Sequence, residues 1–142
     1  MSDGFGAVAH STVPYAIVVE DNPLIMMGAI AILQDAGFRV YEAFDGDEAI
    51  TLLQDKWQST VLLFSDVDMP GSVKGFGLAR HVDKHWPLIE IVIASGHIGP
   101  KSGDMPERAT FIAKPFTQRM VYHHLQNILP NDKKPEPLKN AV

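Results

Sequence analysis

Three stretches of the chain are apolar almost without interruption: YAIVV at 15–19, VLLFS at 61–65 and IEIVIAS at 89–95. Each is short, and the first and third are rich in β-branched residues. A strand with one wet face alternates apolar and polar residues. A continuous run leaves no face for water, so these segments read as strands covered on both sides. Such strands belong to a parallel sheet. Parallel neighbours need crossover connections, and the helices of those crossovers supply the two covering layers.

The segments between the runs provide those helices. Asn22 is a helix N-cap with Pro23 at the first helical position, and Gly37 is the glycine that ends that helix. FRVYEA at 38–43 alternates as a further strand. Asp45 caps a second helix, with Glu48 at capping-box spacing. Leu78, Ala79, Val82 and Trp86 recur at helical spacing. TFIAK at 110–114 is a fifth strand, followed by a helix capped by Thr117 and stopped by Pro130. The expected fold is therefore α/β, a doubly wound five-stranded parallel sheet with helices on both faces. Residues 1–13 and the polar, proline-containing 131–142 are expected to be flexible segments flanking one domain at 14–130. Between Ser95 and the fifth strand, GHIGPKSGDMPERA is broken by three glycines and two prolines, so any helix there is expected to be short or irregular.

Charge and composition exclude several functions. The net charge of −5 argues against a nucleic-acid binder. With no cysteine, thiol catalysis and thiolate metal sites are ruled out. The longest apolar stretch, Leu24 to Leu33, is ten residues, half a membrane span. No signal-peptide pattern opens the sequence, and a soluble cytoplasmic protein without membrane contact is expected.

In doubly wound sheets ligands bind beyond the carboxyl ends of the strands. Glu20 and Asp21 follow the first strand, Asp66 ends the third, Ser95 the fourth and Lys114 the fifth. Three carboxylates, a hydroxyl and an ammonium are thus expected on one edge. Two carboxylates ~5 Å apart at an effective dielectric of ~20 repel by about 3 kcal/mol. A hard divalent cation such as Mg²⁺ relieves that repulsion. The lysine and hydroxyl suit an anion, and a carboxylate nucleophile beside them suits phosphoryl acceptance.

Those residues, with Met69-Pro70 after Asp66 and KPF at 114–116, resemble the receiver domain of two-component response regulators. The resemblance spans about residues 14–130. It implies a stand-alone signalling protein of the phosphorelay type rather than a turnover enzyme. Asp66 would be the phosphoacceptor, forming an aspartyl phosphate. Glu20, Asp21, Asp66 and the backbone carbonyl of Asp68 would hold Mg²⁺. Ser95 and Lys114 would contact the phosphoryl group, Ser95 and Phe111 would form the switch, and Lys114-Pro115 would be cis. The implied partners are a histidine kinase or histidine phosphotransfer protein and a downstream protein target.

Four features depart from the family pattern. DVDMPGSVKG, from Asp66 to Gly75, is one residue longer than usual, with Lys74 where Asp is common. Phe111 has no hydroxyl. His97, two past Ser95, is a candidate modulator of phosphoryl loss. Only eighteen residues separate Ser95 from Lys114.

Two rival readings use the same residues. Asp66 and Asp68 form the Asp-x-Asp of haloacid-dehalogenase-type phosphatases, although that motif normally ends the first strand. A pseudo-receiver that only binds a partner is the other. His81 and His85 are four apart on a helix but lack a third ligand in the sequence, so a solvated face is expected. His123 and His124 point in different directions and have no metal role. In the first helix, Ile25, Ala29, Ile32 and Ala36 are expected to face the core, leaving Leu24, Met27 and Ala31 as an outward docking stripe.

Overall fold

The computed structural model describes residues 13–69, 71–96, 100–101 and 103–141. Five parallel strands run β1 (Tyr15–Val19), β2 (Arg39–Ala43), β3 (Thr60–Asp66), β4 (Glu90–Ser95) and β5 (Thr110–Ala113). Their spatial order is β2-β1-β3-β4-β5. The order reverses beside β1, so the carboxyl ends of β1 and β3 flank the crevice where this topology binds ligands.

The helices are α1 (Pro23–Asp35), α2 (Gly46–Lys56), α3 (Gly75–His85), α4 (Gln118–Ile128) and a short α5 (Glu136–Asn140). Side chains alternate across the strands and feed two cores. Ala16, Val18, Leu62, Phe64 and Val92 pack under α1 and α4. Ile17, Val19, Leu63, Ile91 and Ile93 pack under α2 and α3. Both layers are buried, which is why the central strands carry apolar residues on both faces. Among the described residues no helix is long and apolar enough to cross a membrane.

The expected helix starts are present. The Asn22 side chain accepts from the N–H groups of Leu24 and Ile25 at 2.9 and 3.2 Å. Asp45 accepts from Glu48 N–H at 2.8 Å, and the Glu48 carboxylate reaches back to Phe44 N–H at 2.6 Å. Between β4 and β5 the described residues form no helix. Asp104 caps a turn through Lys101 N–H at 2.7 Å, and the segment is strapped to α3 by Arg80 and by the Arg108–Asp83 ion pair.

Two expectations are corrected. The α1 face in the core is Met26, Ala29, Leu33 and Ala36, while Ile25 and Ile32 are only partly buried. The helix is apolar nearly all round, so no polar stripe in its sequence fixes its rotation. The tail at 131–142, expected to be flexible, is folded from Asn131 to Ala141, with Leu138 fully buried. The Gln126 amide donates to the carbonyls of Leu138 and Ala141, which satisfies backbone groups a loose tail would leave to water. The expectation for residues 1–13 falls almost wholly outside the described residues.

Candidate phosphoacceptor site

Backbone ladders carry each side chain to one edge. The register pairs Asp66 with Ala94 and Ser95 with Ala113. Past the end of β1, Glu20 N–H donates to Ala43 O at 3.0 Å, and past the end of β5, Lys114 N–H donates to Ser95 O at 2.8 Å. Glu20, Asp66 and Ser95 are buried, whereas Asp21 is exposed.

Lys114 is the hub. Its ammonium lies 2.8 Å from Glu20 Oε1 and 2.9 Å from Asp66 Oδ1. Burial alone would lower the lysine pKa. Hydrogen bonds to Glu20 and Asp66, with the charges of both acids, outweigh that and hold it above its ordinary value. Asp66 Oδ1 also accepts from Val67 N–H at 2.8 Å, and Glu20 Oε2 accepts from Asn22 N–H at 3.1 Å. These contacts fix both buried carboxylates in place. The Lys114-Pro115 bond is cis.

Carboxylate oxygens of Glu20, Asp21 and Asp66 all lie within 4.8 Å of one another. That donor set fits Mg²⁺, a hard ion that takes oxygen ligands and keeps several waters. The arrangement is one neutralising cation short of balance: three acids face one lysine. His81 and His85 belong to no such group among the described residues; their rings stack at 4.1 Å.

The long loop after Asp66 is pinned in ways its sequence did not announce. The Lys74 ammonium donates to Met69 O, and Ser72 Oγ donates to the Asp47 carboxylate at 3.1 Å. Gly75 N–H donates to Val67 O at 2.9 Å. A Cβ on Gly75 would stand 2.3 Å from Asp66 O and 2.6 Å from Val67 Cα. Backbone cannot yield as a flexible side chain can. Gly75→Ala is therefore expected to destabilise the fold by about 3 kcal/mol and to slow phosphoryl acceptance by displacing Asp66. Thermal melting and labelling measure the two effects; a wild-type melt would remove the constraint.

Phe111 is partly buried against the α2–α3 core. Leu24 and Met27 are 78% and 66% exposed, and Ala31 is exposed with them. His97 lies outside the described residues. One feature had no clear signal in the sequence: Ile25, Gly28 and Ile32 of α1 line an apolar groove with Pro115 and Phe116, adjoining Lys114.

Comparison with known proteins agrees with this geometry. The family model described as "Response regulator receiver domain" matches residues 16–126. Sensor kinase CckA of Brucella abortus is 29% identical over 116 residues, covering 80% of this chain and 12% of that protein. A putative NtrX-like response regulator of Rickettsia bellii is 34% identical over 82 residues, covering 57% of this chain and 17% of its own length. The chain thus spans under a fifth of either relative. The solved structure of chemotaxis response regulator CheY4 of Vibrio cholerae is 25% identical with a TM-score of 0.72, covering 82% of this chain and 99% of that one. Receiver domains are signalling modules that take a phosphoryl group on an aspartate with Mg²⁺, and a match of this extent on an edge so furnished means that this chain belongs to the response regulator receiver domain family.

Proposed function

We propose that Asp66 is the phosphoacceptor and that the donor is a phosphohistidine on a histidine kinase or histidine phosphotransfer protein. The single observation carrying this is the Lys114 ammonium bridging Glu20 and Asp66, with Asp21 in the same cluster. An Asp66 carboxylate oxygen attacks phosphorus, a P–O bond forms, the P–N bond breaks, and the leaving imidazole takes up a proton. Bound Mg²⁺ would neutralise charge on the phosphoryl oxygens, held by Glu20, Asp21, Asp66 and the Asp68 carbonyl. Lys114 then turns from the carboxylates to the phosphoryl group, and Ser95 donates its hydroxyl to it. Cytoplasmic residence is part of the same proposal, since the donor would be a kinase's cytoplasmic domain. Intact mass after acetyl phosphate and Mg²⁺ tests it. One phosphate mass is expected per chain, and none without Mg²⁺. Sustained release of inorganic phosphate with no retained adduct favours the phosphatase reading instead.

The docking surface for the donor is the exposed stripe Leu24, Met27 and Ala31, continuous with the apolar groove beside Lys114. Met27→Lys is expected to slow transfer from a protein donor roughly tenfold, the scale of an interface contact worth somewhat over 1 kcal/mol. Labelling by acetyl phosphate should be unchanged. Equal loss with both donors would point to a damaged fold.

Ser95 and Phe111 are proposed as the switch. Ser95 drawn to the phosphoryl group carries the end of β4 with it, and Phe111 turns further into the space released. A few kcal/mol of differential contact suffices for such a shift. Amide exchange with beryllofluoride and Mg²⁺ should show increased protection across residues 96–109. Unchanged protection there rules the switch out.

A further inference from the structure

A second surface lies on the other side of the sheet. The loop after Asp66, α2 and the first turns of α3 border an open crevice of about 540 Å³, which Gly103 and Asp104 also line. Ile50, Val73 and Phe76 give it an apolar lining, and Lys74 and Arg80 give it a cationic one. All three apolar side chains are partly buried.

The charge is the unusual part. The whole chain carries −5. Yet α3 presents Arg80 and Lys84, with Lys74 just before it, and its one acid, Asp83, is committed to Arg108. Among the described residues Lys74 and Arg80 find only neutral acceptors. Lys74 donates to the Met69 carbonyl and Arg80 to the Asp104 carbonyl at 2.6 Å. Among the described residues neither has a carboxylate at ion-pair distance, so their hydrogen bonding is met in part and their charge is not. His81, beside them, has its pKa pushed below the ordinary value, first by burial and then by His85 and Lys84, and is not counted among these cations.

We propose that this crevice docks an acidic protein segment carrying an apolar anchor: carboxylates meet Lys74 and Arg80, and one leucine- or phenylalanine-sized side chain enters between Ile50, Val73 and Phe76. Cationic charge without a carboxylate partner among the described residues, on an acidic protein, is the complement of such a segment. Charge of this kind steers encounter and sets specificity, while the apolar anchor supplies affinity. Nucleic acid would be drawn to the same cations. It is disfavoured by the net negative charge of the rest of the chain. The surface does not depend on Asp66 being the phosphoacceptor, so it is measured on the unphosphorylated protein.

The test is an amide-resolved NMR titration with the peptide acetyl-Glu-Glu-Leu-Phe-Glu-Glu-Leu-Glu-amide. Saturable shifts confined to the surroundings of Ile50 and to residues 72–81 and 103–104 are expected. Arg80→Glu and Lys74→Glu should each weaken binding about tenfold, and about 0.5 M salt should weaken it as well. Arg80→Gln, which keeps a donor for the Asp104 carbonyl, should weaken it less than Arg80→Glu. Thermal melts establish that the variants remain folded. Absence of saturable shifts, shifts centred on α1 or α4, or equal affinity in the charge-reversed variants overturns the proposal. So does tighter competition by a single-stranded oligonucleotide at the same residues.

Discussion

Asp66→Asn is expected to abolish phosphoryl acceptance while leaving the protein folded. An amide oxygen is a far weaker nucleophile than a carboxylate, and nothing else at the strand edge can substitute. Glu20 is engaged by Lys114 and by Asn22 N–H, and Asp21 lies exposed at the rim. Asparagine has the same shape, so its oxygen can keep the hydrogen bond from Val67 N–H and the contact with Lys114. The substitution also removes one of three negative charges whose oxygens lie within 4.8 Å. At an effective dielectric of ~20, each such repulsion is about 3 kcal/mol. The lost Asp66–Lys114 attraction at 2.9 Å is about 6 kcal/mol on the same scale, close to the two lost repulsions together, and Lys114 retains Glu20 at 2.8 Å. Without Mg²⁺ the variant should therefore melt close to wild type. With Mg²⁺ it should gain less stability than wild type, because one ligand charge is gone and stabilisation follows affinity. Intact mass after acetyl phosphate reads the first outcome, and melting curves with and without Mg²⁺ read the second. A phosphate adduct on Asp66→Asn at the wild-type level would move the phosphoacceptor elsewhere.

The sheet and its functional edge were legible because both follow from local pattern. Continuous β-branched runs dictate buried parallel strands, and a parallel sheet places Asp66, Ser95 and Lys114 on one edge whatever the loops do. Side-chain alternation then splits the residues between two cores, with Val18 and Phe64 on one face and Val19 and Leu63 on the other. What escaped is what depends on tertiary context. The rotation of α1 was misread because its isoleucines and methionines are equally apolar, and packing against β1 and α4 chose Met26 and Leu33 over Ile25 and Ile32. The pinning of the long loop escaped because Lys74 finds a backbone carbonyl, an acceptor that no sequence pattern marks. The connection between β4 and β5 was correctly read as unfit for a regular helix. Its strapping to α3 through Arg80 and Arg108 joins residues 24 and 25 positions apart, beyond the reach of any local rule. The tail was misread because NDKKPEPLKNAV has the composition of a solvated segment, and one buried leucine changes its fate.

That leucine supports the last prediction. Leu138 is fully buried in the core beneath α1 and α4, with Ala36, Phe38 and Leu129. Pro135 and Pro137 lie over Gly37, where a Cβ would be 2.6 Å from Pro135 Cβ and 2.8 Å from Pro137 Cδ. Gly37 also has φ +104°, so glycine is required there twice over, by its own conformation and by the tail. Lys133 reaches across to the Glu90 carboxylate at 3.2 Å and to the Leu88 carbonyl. The tail thus closes the edge of the sheet where β2 and β4 begin, opposite the phosphoacceptor edge. Leu138→Ala should cost about 3 kcal/mol, in the range for a fully buried leucine. For a domain of this size that lowers the melting temperature by about 10 °C. Removal of residues 131–142 should cost more, since it also uncovers Phe38 and Leu129. Lys139→Ala, on the exposed side of the same short helix, should change little. Below their melting temperatures the Leu138→Ala and truncated proteins should still accept phosphoryl groups at the wild-type rate, because no described tail residue bonds to Glu20, Asp66 or Lys114. Urea melts of the three variants with parallel labelling kinetics measure both quantities. A truncated chain as stable as wild type would mean that the tail merely rests on the domain, and a truncated chain that is stable but cannot be labelled would mean that it communicates with the opposite edge.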